Sequence, residues 1–299
     1  MNVTITGASG FVGINLSKHL KSIGHRVSEL SLRVPDWTLD ADAEVIVHLA
    51  GKAHDTKNNA DEAEYFSINT DLTKKIFDRF LVSESKVFIY FSSVKAVADS
   101  PVGTITEQYP PTPQTAYGKS KLQAEAYLLS KQLPSDKKLI IVRPCMIHGE
   151  GNKGNLSLLY KVVKYGIPWP LGKFDNLRSF LGIDNLCFLI SAMIQKDQFK
   201  SGVYNLSDDD ALSTNEITQL INQVKNKQAK ILNVPKSLIF FMAKLGDILP
   251  LPLNTEKLQK LTENYLVSND KIKKELGIAS LPTSVSQGML RTLASFEQV

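Results

Sequence analysis

Cysteine is nearly missing from this chain, with only Cys145 and Cys187 among 299 residues. Neither has a CxxC partner or a histidine cluster beside it, so neither a secreted disulfide framework nor a metal site is supported, and both thiols are expected to be reduced and buried. Long apolar runs are missing too. The most apolar stretch, Ser237 to Leu253, is interrupted by Lys244, Asp247 and two prolines, which falls short of the roughly 20 apolar residues a membrane span needs. A core or lid helix is the expected role for it, with a membrane-surface helix as the alternative. No charge of one sign accumulates: 35 Lys plus Arg against 30 Asp plus Glu leave +5, scattered along the chain rather than gathered into basic runs, which argues against a nucleic-acid partner. The start of the chain has no basic n-region followed by an apolar h-region, so no signal peptide is expected and the protein is expected in the cytoplasm. Hydrophobic residues at 43% against charged residues at 22% exclude intrinsic disorder and predict a globular protein with a large core.

The first 150 residues alternate short apolar runs with longer helix-period segments, the pattern of βαβ units. "NVTITG", "HRVSELSL", "AEVIVHLAG", "KVFIYFSS" and "KLIIVRPCMI" read as strands. Helices are expected over Phe11 to Ser22, ending at Gly24, over about Asp61 to Leu81, and over Tyr117 to Lys131. Strands apolar on both faces fit a parallel sheet covered by helices on both sides. After Gly149 the pattern changes to "GEGNKGN", a helix and "PWPLG". Strand-like character returns between about Arg178 and Ser207, with a helix at Asp184 to Gln195. From Thr214 the chain reads as helical, closing with a short strand and a capped helix in "YLVSNDKIKKELG".

The first strand runs into Thr6-Gly7-Ala8-Ser9-Gly10-Phe11-Val12-Gly13, a GxxGxxG spacing at a strand-to-helix turn. Glycines let such a turn approach a pyrophosphate that sits on the free N–H groups and positive end of the helix, so dinucleotide binding is expected. Tyr117 and Lys121 are spaced i, i+4 and share one helix face. A phenol titrates near 10, and a neighbouring ammonium, together with the positive charge of an oxidised nicotinamide, is expected to favour its phenolate and bring it closer to neutrality. Ser92 and Ser93 end a strand at the same carboxyl edge of the sheet as the glycine turn.

With these motifs in this order, the chain resembles the extended short-chain dehydrogenases/reductases of the NAD-dependent epimerase/dehydratase family over almost its whole length. The resemblance implies an α/β fold, a Rossmann-type doubly wound parallel sheet with a smaller, mostly helical substrate-binding lobe. The NAD(P)-binding part would span 1–148 plus about 177–213, and the substrate lobe about 149–176 plus 214–299. TGxxGxxG falls on Thr6 to Gly13, YxxxK on Tyr117 and Lys121, and the family's catalytic Ser on Ser93 rather than Ser92. The implied catalytic set is therefore Ser93, Tyr117 and Lys121. The implied cofactor contacts are Gly7, Ser9, Gly10, Phe11, Val12, Gly13, Ser31, Arg33, Leu49, Ala50, Gly51, Tyr117, Lys121 and Pro144, with Asn69 as a structural residue.

The resemblance further implies hydride transfer at C4 of a nucleotide-diphosphate sugar, a UDP-hexose or UDP-N-acetylhexosamine, as a 4-epimerase or a 4-ketoreductase. A non-catalytic dinucleotide sensor of the same fold is the alternative. Lys52, His54, Ser93, Asn155 and Arg178 are the implied substrate contacts. Ser31, with Arg33 nearby, stands where NAD-preferring members carry an acidic residue, so NADP is slightly favoured over NAD, although Glu29 would serve if the register slipped by two. Val94-Lys95 replaces the Asp-Glu of the dehydratases, which argues against water elimination. The segment between the second and third predicted strands is too short to place the family's extra strand, and Asp40 is a weak substitute for its adenine-contacting Asp. A second apolar stripe on the Tyr117 helix, Leu122, Ala126, Leu129 and Leu133, predicts a homodimer. No metal ion is expected.

Overall fold

The structure, a computed structural model, describes residues 1–53, 61–152, 155–249 and 253–297, the side chains at 155 and 158 excepted. Six parallel strands, Asn2–Thr6, Arg26–Leu30, Val45–His48, Val87–Phe91, Lys138–Pro144 and Gly202–Leu206, form one sheet. Counted along the chain, their spatial order is second, first, third, fourth, fifth, sixth. The order reverses beside the first strand, and ligands of open α/β sheets bind at the carboxyl ends of strands at such a reversal.

Alternation along the central strands fills two cores. Val45, Val47, Ile89, Ile140 and Val142 point to one face, against Leu16, Leu20, Leu186, Leu189 and Ile190 of the helices Phe11–Ser22 and Ile183–Gln195. Ile46, Phe88, Tyr90 and Ile141 point to the other, against Ile76, Phe77, Phe80, Ala124 and Leu128 of the helices Leu72–Val82 and Ala116–Ser130. Side chains one residue apart on a strand serve opposite faces, which is why these runs are apolar throughout.

Several elements differ from expectation. Among the described residues no strand lies outside Arg26–Leu30; instead Leu32, Trp37 and Leu39 pack beside the second core. Fourteen residues separate the second and third strands, too few for an extra parallel strand with its crossover connection. "KLIIVRPCMI" is not one strand. Pairing with the sixth strand ends with the Cys145 N–H on the Leu206 carbonyl at 3.0 Å, and Met146–His148 pairs with Arg178–Gly182 in a separate small sheet completed by Ala211–Leu212. Arg178–Gly182 therefore does not rejoin the main sheet, and Gly202–Leu206 does. The helix expected from Asp61 to Leu81 is interrupted: Glu62–Phe66 passes through a π-helical turn, Ser67–Asp71, into Leu72–Val82.

Helices Asn155–Lys164, Thr214–Val224 and Val285–Ser295 enclose a third core of Leu156, Tyr160, Ile217, Ile221, Met289 and Leu293. A fourth, smaller core joins Trp169, Leu171 and Phe174 to Ile239 and Ala243 of helix Lys236–Ile248 and to Leu258 of helix Thr255–Thr262. Helix Lys236–Ile248 is not the core helix its composition suggested, because Ile239 and Ala243 are its only buried residues.

Candidate active site

The first strand ends at Thr6, and Gly7 turns the chain with φ +71°. A Cβ on Gly7 would stand 2.7 Å from the Ala50 nitrogen, and one on Gly13 would strike the Gly7 carbonyl oxygen and come within 2.6 Å of Ala8 Cα. Glycine at these two positions is what lets the turn, the first helical turn and the Leu49–Gly51 segment close on one another. The helix that starts at Phe11 has Gly10 as N-cap, no side-chain cap and no acidic residue in its first turn. Its free N–H groups and positive end therefore face an open turn in which Ser9 and Gly10 are exposed. This donor set, in a cradle that any Cβ would fill, fits a dinucleotide diphosphate.

A buried relay braces the cradle from behind. The Thr73 hydroxyl donates to the Asn69 carbonyl at 2.7 Å, so it accepts from His48 Nε2 at 3.0 Å. His48 Nδ1 is then left to accept from the Thr6 hydroxyl at 2.7 Å. Thr6 Oγ1 in turn receives the Ala50 N–H at 3.2 Å. Burial, reinforced by Lys121, pushes the His48 pKa down to about 3. His48 is a neutral hinge pin between strands and not an acid or base at physiological pH.

Tyr117 and Lys121 lie on the helix Ala116–Ser130, capped by the Thr115 hydroxyl. The helix can approach the end of the fourth strand because residue 118 is glycine, where a Cβ would collide with the Lys95 carbonyl oxygen. That approach brings the Tyr117 phenol beside the Ser93 hydroxyl, which acts to lower the phenol pKa. Burial outweighs this and leaves the pKa raised overall, with Tyr65 adding to the rise; the Tyr65 ring stands edge-on 6.3 Å away. The expectation that Lys121 brings the phenol towards neutrality is thus not met by the protein alone, since desolvation dominates. The Lys121 ammonium, 5% exposed, donates to the Phe91 carbonyl at 2.8 Å and lies over the Tyr90 ring. Burial lowers its pKa to about 8, opposed by Glu125. A Cβ on Gly51 would come 3.1 Å from Lys121 Nζ and 2.9 Å from Asn69 Oδ1.

Asn69, in the π-helical turn, saturates its amide. Nδ2 donates to the Lys52 carbonyl and the Ser120 hydroxyl, both at 3.0 Å, and Oδ1 accepts the Lys52 N–H at 2.8 Å. It fastens the loop after the third strand to the Tyr117 helix.

Beneath Tyr117 and Lys121 lies a buried ion pair that the sequence motifs did not single out. Glu125, 1% exposed, receives Arg143 Nε at 3.0 and 3.2 Å and Nη2 at 2.5 Å, and also the Ser92 hydroxyl. Ser92 thus turns away from Tyr117 while Ser93 faces it. The signal was available: Glu125 occurs at i+4 from Lys121 on the face shared with Ala124 and Leu128, and Arg143 interrupts an apolar strand. Opposite charges on two inward faces point to each other.

Among the residues expected to contact substrate, Lys52 Nζ pairs with Glu64 at 2.5 Å and lies over the Tyr65 ring. The Arg178 guanidinium donates to the Lys260 carbonyl and lies 3.8 Å from Glu263. Lys95 Nζ donates to the Asp99 carbonyl at 2.8 Å over the Tyr265 ring, and burial lowers its pKa. Pro144 is buried at the end of the fifth strand, and Ser31 and Arg33 are exposed just past the second. His54 and the side chain of Asn155 lie outside the described residues.

Residues 3–207 match the model of the NAD dependent epimerase/dehydratase family. Over 99% of its length the chain is 29% identical to the UDP-glucose 4-epimerase of Vibrio cholerae, covering 96% of that protein. It is 27% identical, over 98% of the chain and 94% of the relative, to the N-acetyl-alpha-D-glucosaminyl-diphospho-ditrans,octacis-undecaprenol 4-epimerase of Escherichia coli O157:H7. The solved UDP-glucuronic acid 4-epimerase from Bacillus cereus, in complex with NAD, superposes with a TM-score of 0.73 at 18% identity, covering 100% of this chain and 99% of that one.

Proposed function

The chain belongs to the NAD dependent epimerase/dehydratase family, and from that premise we propose that it epimerises C4 of a hexose or N-acetylhexosamine carried on a nucleoside diphosphate. One observation carries the proposal: the Ser93 hydroxyl beside the Tyr117 phenol, with the buried Lys121 ammonium one turn away, at the same sheet edge as the diphosphate cradle. The names of the two curated relatives at 29% and 27% identity, both 4-epimerases, support the choice of reaction.

In this reading Gly7, Ser9, Gly10, Phe11, Val12 and Gly13 hold the cofactor diphosphate, and Leu49, Ala50, Gly51 and Pro144 line the rest of its cleft. The nicotinamide, when bound, supplies hydride acceptance and donation at C4. Tyr117 Oη takes the proton of the C4 hydroxyl as that carbon is oxidised and returns it on reduction. Ser93 aligns the hydroxyl by bonding both it and Tyr117. Lys121 remains charged through its bond to the Phe91 carbonyl and favours the phenolate against the penalty of burial. Lys52, His54, Asn155 and Arg178 are the proposed contacts to sugar and diphosphate. An arginine fork suits phosphate oxygens, so substrate would displace the Lys260 carbonyl and Glu263 from Arg178. The substrate lobe is taken as 149–176 with 214–299.

Ketoreduction at C4 is the second reading, favoured by Ser31 and Arg33. Neither repels a 2′-phosphate, so NADP(H) is accepted. Water elimination is disfavoured, because Val94-Lys95 offers no carboxyl acid and the Lys95 ammonium is engaged with Asp99. The test is incubation with UDP-glucose, UDP-N-acetylglucosamine and a UDP-4-keto-6-deoxy sugar, following C4 configuration by NMR and NADPH absorbance. Epimer formation without added cofactor is expected. NADPH consumed one-for-one with the ketosugar alone would replace the reading with the reductase, and no conversion of any sugar would leave a dinucleotide sensor.

A further inference from the structure

Helix Lys236–Ile248 leaves most of its large apolar side chains exposed. At about 100° per residue, Ile239, Ala243 and Gly246 form one stripe against the lobe. Ile239 and Ala243 are buried there, and a Cβ on Gly246 would strike the Leu253 carbonyl oxygen. On the opposite side Leu238, Phe241, Met242, Leu245, Ile248 and Leu249 form a second stripe running the length of the helix. All six are exposed, Phe241 at 59% and Ile248 at 82%. Ile239 is the one large apolar side chain that this helix turns inward, beside Ala243 and Gly246, while six large apolar ones stay exposed, unlike an ordinary surface helix. Soluble chains rarely leave so large an apolar surface uncovered.

The surroundings are cationic. Lys244 flanks the stripe, Lys236 lies on the other side of the helix over the Phe174 ring, and Lys161, Lys164, Lys173, Lys227 and Lys230 are exposed on the segments that build the same lobe. Residues 156–175 and 225–249 together hold eight lysines against two aspartates, a surplus larger than the +5 of the entire chain. One of the eight, Lys225, is paired with Glu297, and Asp247 is occupied by Thr255. Charge that looks scattered along the sequence is gathered on one lobe.

We propose that this helix docks on the surface of an anionic phospholipid bilayer, lying in the headgroup plane with the Leu238–Leu249 stripe turned into it. The side chains of the stripe carry no hydrogen-bonding group for a polar protein surface to satisfy, whereas an acyl boundary needs none. The lysine fringe supplies the second attraction that stable peripheral binding requires. The helix is 13 residues long, about 20 Å, so it lies on a membrane and cannot cross one. Helix Thr255–Thr262, packed against it, provides through Lys260 the carbonyl that holds Arg178.

The test is co-sedimentation of the full-length protein with vesicles of phosphatidylglycerol mixed into phosphatidylcholine, and with phosphatidylcholine alone. Binding to the mixed vesicles is expected, at least tenfold weaker to the neutral ones and falling as salt rises. The double variant Phe241→Glu/Leu245→Glu should lose binding at least tenfold, with melting temperature and turnover of a soluble nucleotide sugar unchanged. Lys244→Gln should weaken it and flatten the salt dependence. Equal binding of the wild type and the Glu variant would overturn the proposal, as would no binding to anionic vesicles. If the Glu substitutions instead dissociate a dimer seen by light scattering, with no vesicle binding at any stage, the stripe belongs to a second copy of the chain.

Discussion

Glu125→Gln removes the only carboxylate that the described structure sets against the buried Arg143, while almost preserving side-chain volume. Arg143 is 7% exposed and donates to both carboxylate oxygens. Breaking a buried pair by removing one partner costs roughly 3–5 kcal/mol, because the surviving charge is left uncompensated. The amide keeps one acceptor for the guanidinium, so about 3 kcal/mol is the appropriate end of that range. With roughly 2.1 cal/mol/K of unfolding entropy per residue, a 299-residue chain has a total of about 0.6 kcal/mol/K, and the melting temperature should fall by about 5 °C. Replacing both partners, Glu125→Met with Arg143→Met, should recover most of the loss, since a paired burial is close to neutral against an apolar isostere. A second signature is electrostatic. Glu125 opposes the burial that holds Lys121 at about 8, so its removal lowers the Lys121 pKa further. The alkaline limb of kcat/KM, where Lys121 loses its proton, should therefore start near pH 8 in the wild type and move to lower pH in Glu125→Gln. Calorimetric melting and a pH–rate profile read the two effects independently. A melting temperature within 1 °C of wild type, or an unmoved alkaline limb, would refute the reasoning.

Tyr117→Phe should remove nearly all turnover and leave cofactor binding intact, because only the proton path is lost; a residual rate above about a tenth of wild type would sink the assignment. In Gly13→Ala the new Cβ runs into the Gly7 carbonyl, so the dissociation constant for the dinucleotide should rise at least tenfold by calorimetric titration, with any increase below twofold counting against the cradle. The same titration should show NADP binding comparable to or tighter than NAD, and Ser31→Asp should reverse that order; much tighter NAD binding to the wild type would reject the roles given to Ser31 and Arg33. Light scattering should give a dimer, and Leu129→Glu, at a position 55% exposed on the Tyr117 helix, should convert it to monomer, whereas a monomeric wild type would mean that the stripe needs no partner.

Strands apolar on both faces and the Gly7–Gly13 turn were legible because each reflects a local demand: two-sided burial in one case, backbone clearance in the other. The helix Phe11–Ser22 and the strand Gly202–Leu206 followed from the same patterning. The shortened sheet edge was legible as well, from the fourteen-residue gap before Val45. The break after Cys145 was not, since an apolar run carries no record of which sheet it pairs with. Nor was the balance at Tyr117. Sequence spacing shows that Lys121 is near but not how deeply the phenol is buried, and burial sets the direction of its pKa. Glu125 and Arg143 were visible as charges on inward faces, yet their partnership joins a helix to a strand eighteen residues further on.

The π-helical turn at Ser67–Asp71 amounts to one residue inserted into a helix that would otherwise run from Glu62 to Val82. An α-helix advances about 100° per residue, so the insertion sets its two halves out of phase by about that angle. The later half spends its phase on Ile76, Phe77 and Phe80, which must meet the sheet. The earlier half is thereby free to aim Tyr65 at Tyr117 and Glu64 at Lys52. A continuous helix could satisfy one of these demands but not both. Deleting a single residue from the turn would bring the two halves back into phase and swing Tyr65 and Glu64 away from Tyr117 and Lys52.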